Sequence, residues 1–427
     1  MAVVYTKKDQ GNSVTSGTGA PVHTAVAGDR YTDTATGDTY QYTNAWRIVS
    51  LGGYGIWGIA NASGLYTYYA TYQLAVASAV AGQTIEMFGS QTESTANHIL
   101  KNGVNINYNG YTLTFGGLFR LDDNNVACDV QLLNGEIKQP TTDGYCIKVL
   151  NAGTIIRGNV LVNSSGTNSL GLYGPATVIG LNFKGSFCLT LYSAPINGKA
   201  YGVTVNCTSN QAVAYCEIHN SVVNSTSTNG NSFYRVTLIN NCSGVMNGSR
   251  GFYMQGTSIK NSSFTNLTSE MFEFATQDDN FIDSCYFRAS ASNIGRGNGQ
   301  GKGLISNSTL SGVYYLWRFD GYIMNMNNCT LISDGSHIFY FSYGATFNFC
   351  NFILRDSSNA FQDLISGTIK LNNCNFQLFN ASAYPVYAGS AKNFTASNNT
   401  YNTTNFQLNM TNLQTFTADA YGNQRLN

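Results

Sequence analysis

Charge is what this chain has least of. Its 427 residues carry 22 basic and 22 acidic side chains, 10% in all, for a formal net charge of zero; an ordinary globular domain carries about a quarter. The electrostatic attraction on which nucleic-acid and anionic-membrane binders rely is therefore missing, and neither is expected as a partner. No apolar run approaches the ~20 residues of a membrane span, so membrane insertion is not expected. Lys7 and Lys8 stand where a signal peptide would place its apolar region, which implies a soluble chain without an export signal. The ten cysteines include no CxxC pair, so neither a disulfide scaffold nor a zinc module is indicated, and reduced buried thiols are the expectation.

What is present argues for folding. Hydrophobic residues make up 43% and aromatic residues 13%, with 28 Tyr and 24 Phe, and that much apolar surface has to be buried. Asn, Ser, Thr and 44 Gly repeat turn chemistry along most of the length.

These residues recur in a hexapeptide frame: apolar, variable, Asn, small, variable, large apolar. It reads Ile218 to Val223, Ile239 to Gly244, Ile259 to Phe264, Ile282 to Phe287, Ile305 to Leu310, Met326 to Leu331, Phe347 to Phe352, Leu371 to Phe376 and, weakly, Ala396 to Tyr401. Successive frames start 21, 20, 23, 23, 21, 21, 24 and 25 residues apart. Such a period, strand-like within each unit and punctuated by Asn and Gly, belongs to a solenoid. Leucine-rich repeats are excluded because each unit lacks the several leucines and the helix they require. The reading is all-β, a right-handed parallel β-helix over residues 84–401.

Stacking turns ~4.8 Å apart makes the fourth frame position an interior column of Ser221, Cys242, Ser262, Cys285, Ser308, Cys329, Cys350 and Cys374. The third position, usually Asn, suits a sharp corner, because Asn tolerates the left-handed conformation and its amide can join a ladder of amides. Upstream the rhythm continues less regularly through Leu132, Ile156 and Ile179. Residues 66–82, rich in Ala and ending at Gly82, predict a helix that caps the first turn. Residues 51–83 are thus linker and capping helix, and 402–427 a C-terminal cap or tail.

The helix, the segment Gln83 to Phe88 and the Asn-Gly-rich segment Ile99 to Gly110 together resemble the start of pectate-lyase-like β-helix proteins. That superfamily includes lyases, hydrolases and inert spikes, so the resemblance speaks to fold. A second resemblance lies in residues 1–50. Gly17 to Ala25, Gly28 to Tyr40 and Trp46 look like the small β-hairpin module of bacteriophage tail-fibre, spike and head-fibre proteins. Tyr31 to Thr34 and Asp38 to Tyr42 read as alternating strands around a Thr36-Gly37 turn, too short to bury a core alone. The module implies attachment to other virion proteins through Tyr31, Asp33, Tyr40 and Trp46, and a parallel homotrimer whose N-termini share a core. The place implied is the virion, assembled in the host cytoplasm.

Chemistry is sparse. Gly295 to Gly303 imitates a phosphate loop, but Gly303 stands where Ser or Thr would bind magnesium and Arg296 where the first Gly would be. A protruding loop between turns is expected there, and no cofactor. His23, His98, His219 and His337 are scattered without evident carboxylate neighbours, so no metal is expected.

One region is richer: Glu270, Glu273, Asp278, Asp279 and Asp283 fall within one turn and its corner. On neighbouring turns Trp317, Arg318, Tyr340 and Asp363 are expected beside Glu273. Glu270, Glu273, Asp278, Asp279 and Asp363 are the candidate acids for glycan cleavage, in which one carboxyl protonates the leaving oxygen and another activates water or attacks. Glu273, Trp317, Arg318, Tyr340 and Asp363 are the candidates for glycan binding without cleavage. The plain alternative is a solvated loop with aromatics lining the core or the trimer interface. Two functions follow: a trimeric tail or head fibre or spike that contacts host surface polysaccharide, or a depolymerase, hydrolase or lyase, that cuts it. The single acid-rich turn favours the non-enzymatic one.

Overall fold

The computed structural model describes residues 4–401, except for 10–11, 19–20, 23, 34–38, 44–45, 51–55, 194–195, 227–229, 248–249, 276–277, 299–300, 314–316, 321–322, 336–338, 342–343, 356–360, 363–367, 380–386 and 389–392. Beyond 401 it describes the strands Asn409–Met410 and Gln424–Arg425. The chain is nearly all β and winds as a parallel β-helix with three faces. One turn illustrates the path: Cys216–His219 on the first face, a corner at Asn220, Val222–Ser225 on the second face and Asn231–Tyr234 on the third, before Leu238–Asn240 returns to the first. The third face is a sheet of 15 strands and the second a sheet of 16.

The corner between the first two faces explains the Asn of the frame. Asn220, Asn241, Asn261, Ser284, Asn307, Asn328, Phe349, Asn373 and Asn398 all have φ between 49° and 56°, the left-handed region that costs most L-residues ~1–2 kcal/mol and Asn least. Their amides link successive turns. Asn241 Nδ2 donates to Asn220 Oδ1 at 2.8 Å and Asn328 Nδ2 to Asn307 Oδ1 at 2.9 Å. Asn307 Nδ2 in turn donates to Asp283 Oδ1 at 2.8 Å.

The next residue faces inward. Every member of the expected column from Ser221 to Cys374 is buried, and Asn399 extends it. Its small hydroxyls and thiols tie the corner together. Ser262 Oγ donates to Lys260 O at 2.6 Å and accepts from Cys242 N at 3.1 Å; Cys242 Sγ reaches Asn240 O at 3.3 Å. Two positions on, the large apolar residues Val223, Phe264, Phe287, Leu310, Leu331, Phe352 and Phe376 are buried. Gly244 interrupts that row because a Cβ there would sit 1.7 Å from Val223 O. Aromatic stacking continues the core on the third face, where Phe233 and Phe252 lie 4.6 Å apart at 13°.

The cap differs from the expected helix. Tyr66–Tyr69 is a strand, antiparallel to Trp57–Ala60, which pairs antiparallel with Thr84–Met87 of the first face. Only Tyr72–Ser78 is helical, capped by Thr71, whose hydroxyl accepts from Leu74 N. Tyrosine and threonine in alternation favour a strand over a helix. The helix buries Tyr72, Ala75 and Val76, and Lys101 Nζ donates to Val76 O and Ala79 O at its C-terminal end, where a cation is favoured. His98 lies beneath it, fully buried, stacked on Tyr72 at 4.3 Å. Two histidines do have carboxylate neighbours: His98 Nε2 is 3.4 Å from Glu93 Oε1 and His219 Nε2 3.8 Å from Glu217 Oε2. Glu217 and His219 share one side of a strand by the period of two, a signal present in the sequence, whereas Glu93 and His98 stand on strands of different faces and only the fold brings them together. His23 and His337 lie outside the described residues.

The N-terminal hairpin has company from its own chain. Arg30–Asp33 and Thr39–Tyr42 pair antiparallel within a five-stranded sheet that also holds Val4–Asp9, Asn12–Gly17 and Trp46–Ser50. Strands of the same chain therefore flank it on both sides. Tyr31 and Asp33 are buried, and the Tyr31 and Tyr40 rings meet at 6.1 Å. Trp46 pairs with Tyr42 in register; the Thr36-Gly37 turn lies outside the described residues. Among the described residues no helix is long and apolar enough to cross a membrane.

All ten cysteines are free and buried. Ellman's reagent should therefore titrate none in the native protein and ten after unfolding; prompt native labelling of the column would contradict the stacking. Burial pushes the Cys128, Cys242 and Cys285 thiols from 9.0 up to about 11. A raised folded value means stability that is present below pH 9 and lost as the pH climbs toward 11, so the melting temperature should fall across that window. At the corner, Asn328→Ala should cost about 1 kcal/mol in urea unfolding and Asn328→Gly less.

Candidate functional site

Residues of the third face form rows because each strand pairs in register with the next turn. One row runs Tyr234, Tyr253, Glu273, Arg296, Arg318, Tyr340, Gln362. A second, three residues earlier on each strand, runs Asn231, Arg250, Glu270. Where the two rows adjoin, four charges interlock over three turns. Glu273 takes hydrogen bonds from Arg250 Nη1 of the turn before and from Arg296 Nη2 of the turn after, the latter at 3.3 Å. Glu270 Oε2 lies 3.7 Å from Arg250 Nε and 3.3 Å from Arg296 Nε. Opposite charges alternate along the stack, and each carboxylate is shared by two guanidiniums.

Glu273 was expected to face outward, and by register it does, yet it is only 8% exposed. The two arginines, each 32% exposed, close over it. An open hollow of about 480 Å³ adjoins them, lined by Gly230, Asn231, Arg250, Ser269, Glu270, Ser292 and Arg296. Gly295–Asn298 is a strand in the ladder, and Lys302–Ser306 is another on the first face. The protruding loop expected there is corrected accordingly: hydrogen bonds from the turns on both sides outweigh the poor strand propensity of Gly.

The other predicted residues separate. Arg318 and Tyr340 continue the Glu273 row, whereas Trp317 belongs to the row of Phe272, Gly295 and Phe339. Gln362 takes the next place on the Glu273 row, and Asp363 lies outside the described residues. Asp278 and Asp279 are exposed on the connection to the first face. Asp283 is at the end of a first-face strand, where donors Ser306 Oγ at 2.6 Å and Asn307 Nδ2 at 2.8 Å hold its carboxyl below the ordinary value.

Tyrosines lead up to the hollow. Tyr192 and Tyr215 have ring centroids 4.6 Å apart, Tyr215 and Tyr234 5.5 Å, and Tyr234 and Tyr253 5.0 Å. Arg235 lies 5.2 Å over the Tyr234 ring. Earlier on the same face Tyr145 and Tyr173 meet at 5.5 Å. The sequence held a signal for both sets: Arg250, Glu273 and Arg296 are 23 residues apart, and Tyr215, Tyr234 and Tyr253 are 19 apart, spacings close to one turn.

No family model matches the chain, and no curated protein matches it. Among solved structures, ORF18 of Geobacillus virus E2 is similar at 13% sequence identity with a TM-score of 0.18, over 89% of this chain and 70% of that one. So slight a likeness carries no argument about what this chain does.

The interlocked charges generate a stability test. Glu273→Ala leaves two half-buried guanidiniums short of a partner and should cost about 2 kcal/mol in urea unfolding, while Glu273→Met combined with Arg250→Met should cost less than the single change. Equal or greater loss in the double variant would contradict the charge network.

Proposed function

We propose that this chain is a structural subunit of a bacteriophage virion, a tail or head fibre or spike, that contacts host surface glycans along its third face. Three copies stand parallel, held to other virion proteins by residues 1–50. The observation that carries the reading is the run of half-buried tyrosines Tyr234 and Tyr253 on the row that continues through Glu273 to Arg296, which with Arg250 and Glu270 lines the polar hollow. Sugars present apolar C–H faces with hydroxyl rims. Aromatic rings fit the faces, and charged hydrogen-bonding groups fit the rims.

The same geometry favours binding over cleavage. A general acid needs a carboxyl with its oxygen free to meet the leaving group. Both oxygens of Glu273 and Oε2 of Glu270 instead face arginines on two adjoining turns. A neutral, low-charge solenoid also suits an extended part built for contact, since its rigidity comes from stacking and not from a ligand.

Fluorescence titration with labelled host-surface oligosaccharides tests this. Tyr234→Ala and Tyr253→Ala should each weaken binding about tenfold, the order expected for a stacking contact of ~1–1.5 kcal/mol, with an unchanged circular dichroism spectrum. No binding by the wild type to any surface polysaccharide of a host that its phage adsorbs to would overturn the glycan reading. Release of reducing ends from the polysaccharide would replace it with a depolymerase.

A further inference from the structure

The second face differs from the other two in charge. Its first strands hold Glu93, Glu136, Lys138 and Lys184. From Thr204–Cys207 to Asn375–Leu378, nine consecutive strands hold a single charged side chain, Arg288. Apart from Arg288 the outward positions are Thr, Ser, Asn, Val, Ile, Tyr286 and Gln377, and Val222, Val245 and Tyr286 expose 41%, 45% and 41% of their surface. The first face over the same turns carries Lys260, Lys302 and Lys370, and the third carries Arg250 and Arg296.

Symmetry gives this contrast a meaning. Rotation about an axis parallel to the solenoid leaves height unchanged, so residues near the axis meet their own copies. Each charge there is multiplied against itself at close range, which is destabilising. A face used in this way has to be neutral over its whole height. Apolar and hydroxyl side chains, by contrast, pack against copies of themselves without penalty. Nine strands at ~4.8 Å and four residues at ~3.3 Å make a surface about 40 Å tall and 13 Å wide, roughly 500 Å² before side-chain relief; this is below the ~800 Å² per partner of a standard interface, so residues beyond these strands have to add to the contact. Arg288, the exception, has a stem long enough to carry its guanidinium to the rim.

We infer that the second face between Thr204 and Leu378 is the surface on which copies of this chain pack against one another about a closed axis; the number three rests on the functional reading above. The test is light scattering on the full-length protein. The wild type should give a mass near three times 46.2 kDa. Val245→Lys combined with Thr330→Lys should give monomers with an unchanged circular dichroism spectrum. The neutral pair Val245→Thr with Thr330→Ser, and the first-face charge reversal Lys260→Glu, should both remain trimeric. A trimer indifferent to the two lysines, or one broken by Lys260→Glu and not by them, overturns the inference and leaves the fibre reading standing. A monomeric wild type overturns both the inference and the trimer. A wild-type dimer broken by the lysines keeps the face and overturns the count of three.

Discussion

Everything in this molecule depends on one backbone constraint: each turn must lie in hydrogen-bonding register with the turns before and after it. Parallel strands ~4.8 Å apart tolerate no drift, so the chain must make the same corner in the same way on every circuit. The left-handed residue between the first and second faces does this, with φ near 50° at nine successive corners. Asn supplies that conformation cheaply and its amide reaches the next amide. Loop length between the second and third faces is then free to vary, as the 20 to 25 residue spacing shows.

Register turns sequence into rows, and rows are where chemistry collects. Inward rows become columns of Cys and Ser or stacks of Phe. Outward rows become ladders of amides at the corner between the first and second faces, a neutral surface on the second, and tyrosines running into an arginine and glutamate lattice on the third. A sparsely charged chain has brought four of its charges together across three turns, where each carboxylate is shared. The tyrosines beside them remain half-buried, Tyr234 stacked on Tyr253 and meeting Tyr215 edge to face.

Much of the fold was legible because the corner leaves a local mark, an Asn followed by a small residue and an apolar one. The interior cysteines follow from that frame alone. Phe349 and Ser284 break the pattern, yet adopt the same conformation as their Asn counterparts, since neighbouring turns impose it. The site was less legible. Its residues lie on the third face, separated from the frame by loops of unequal length, so Glu273 was found by composition while Arg250 and Arg296 were missed. Parity along the strand gives Glu273 an outward direction but says nothing of the two arginines that cover it. The strands Val4–Asp9 and Asn12–Gly17 were hidden by their polar, charged sequence, because a strand in a sheet is held by backbone pairing as much as by apolar alternation.

The proposed function makes the third face the surface that meets the glycan. Hydrogen–deuterium exchange with and without the surface polysaccharide of the host tests it most directly. The account predicts added protection in Asn231–Tyr234, Arg250–Met254 and Glu270–Ala275, with the second-face strands of the same turns unchanged. Protection confined to the first or second face, or none at saturating polysaccharide, would contradict it.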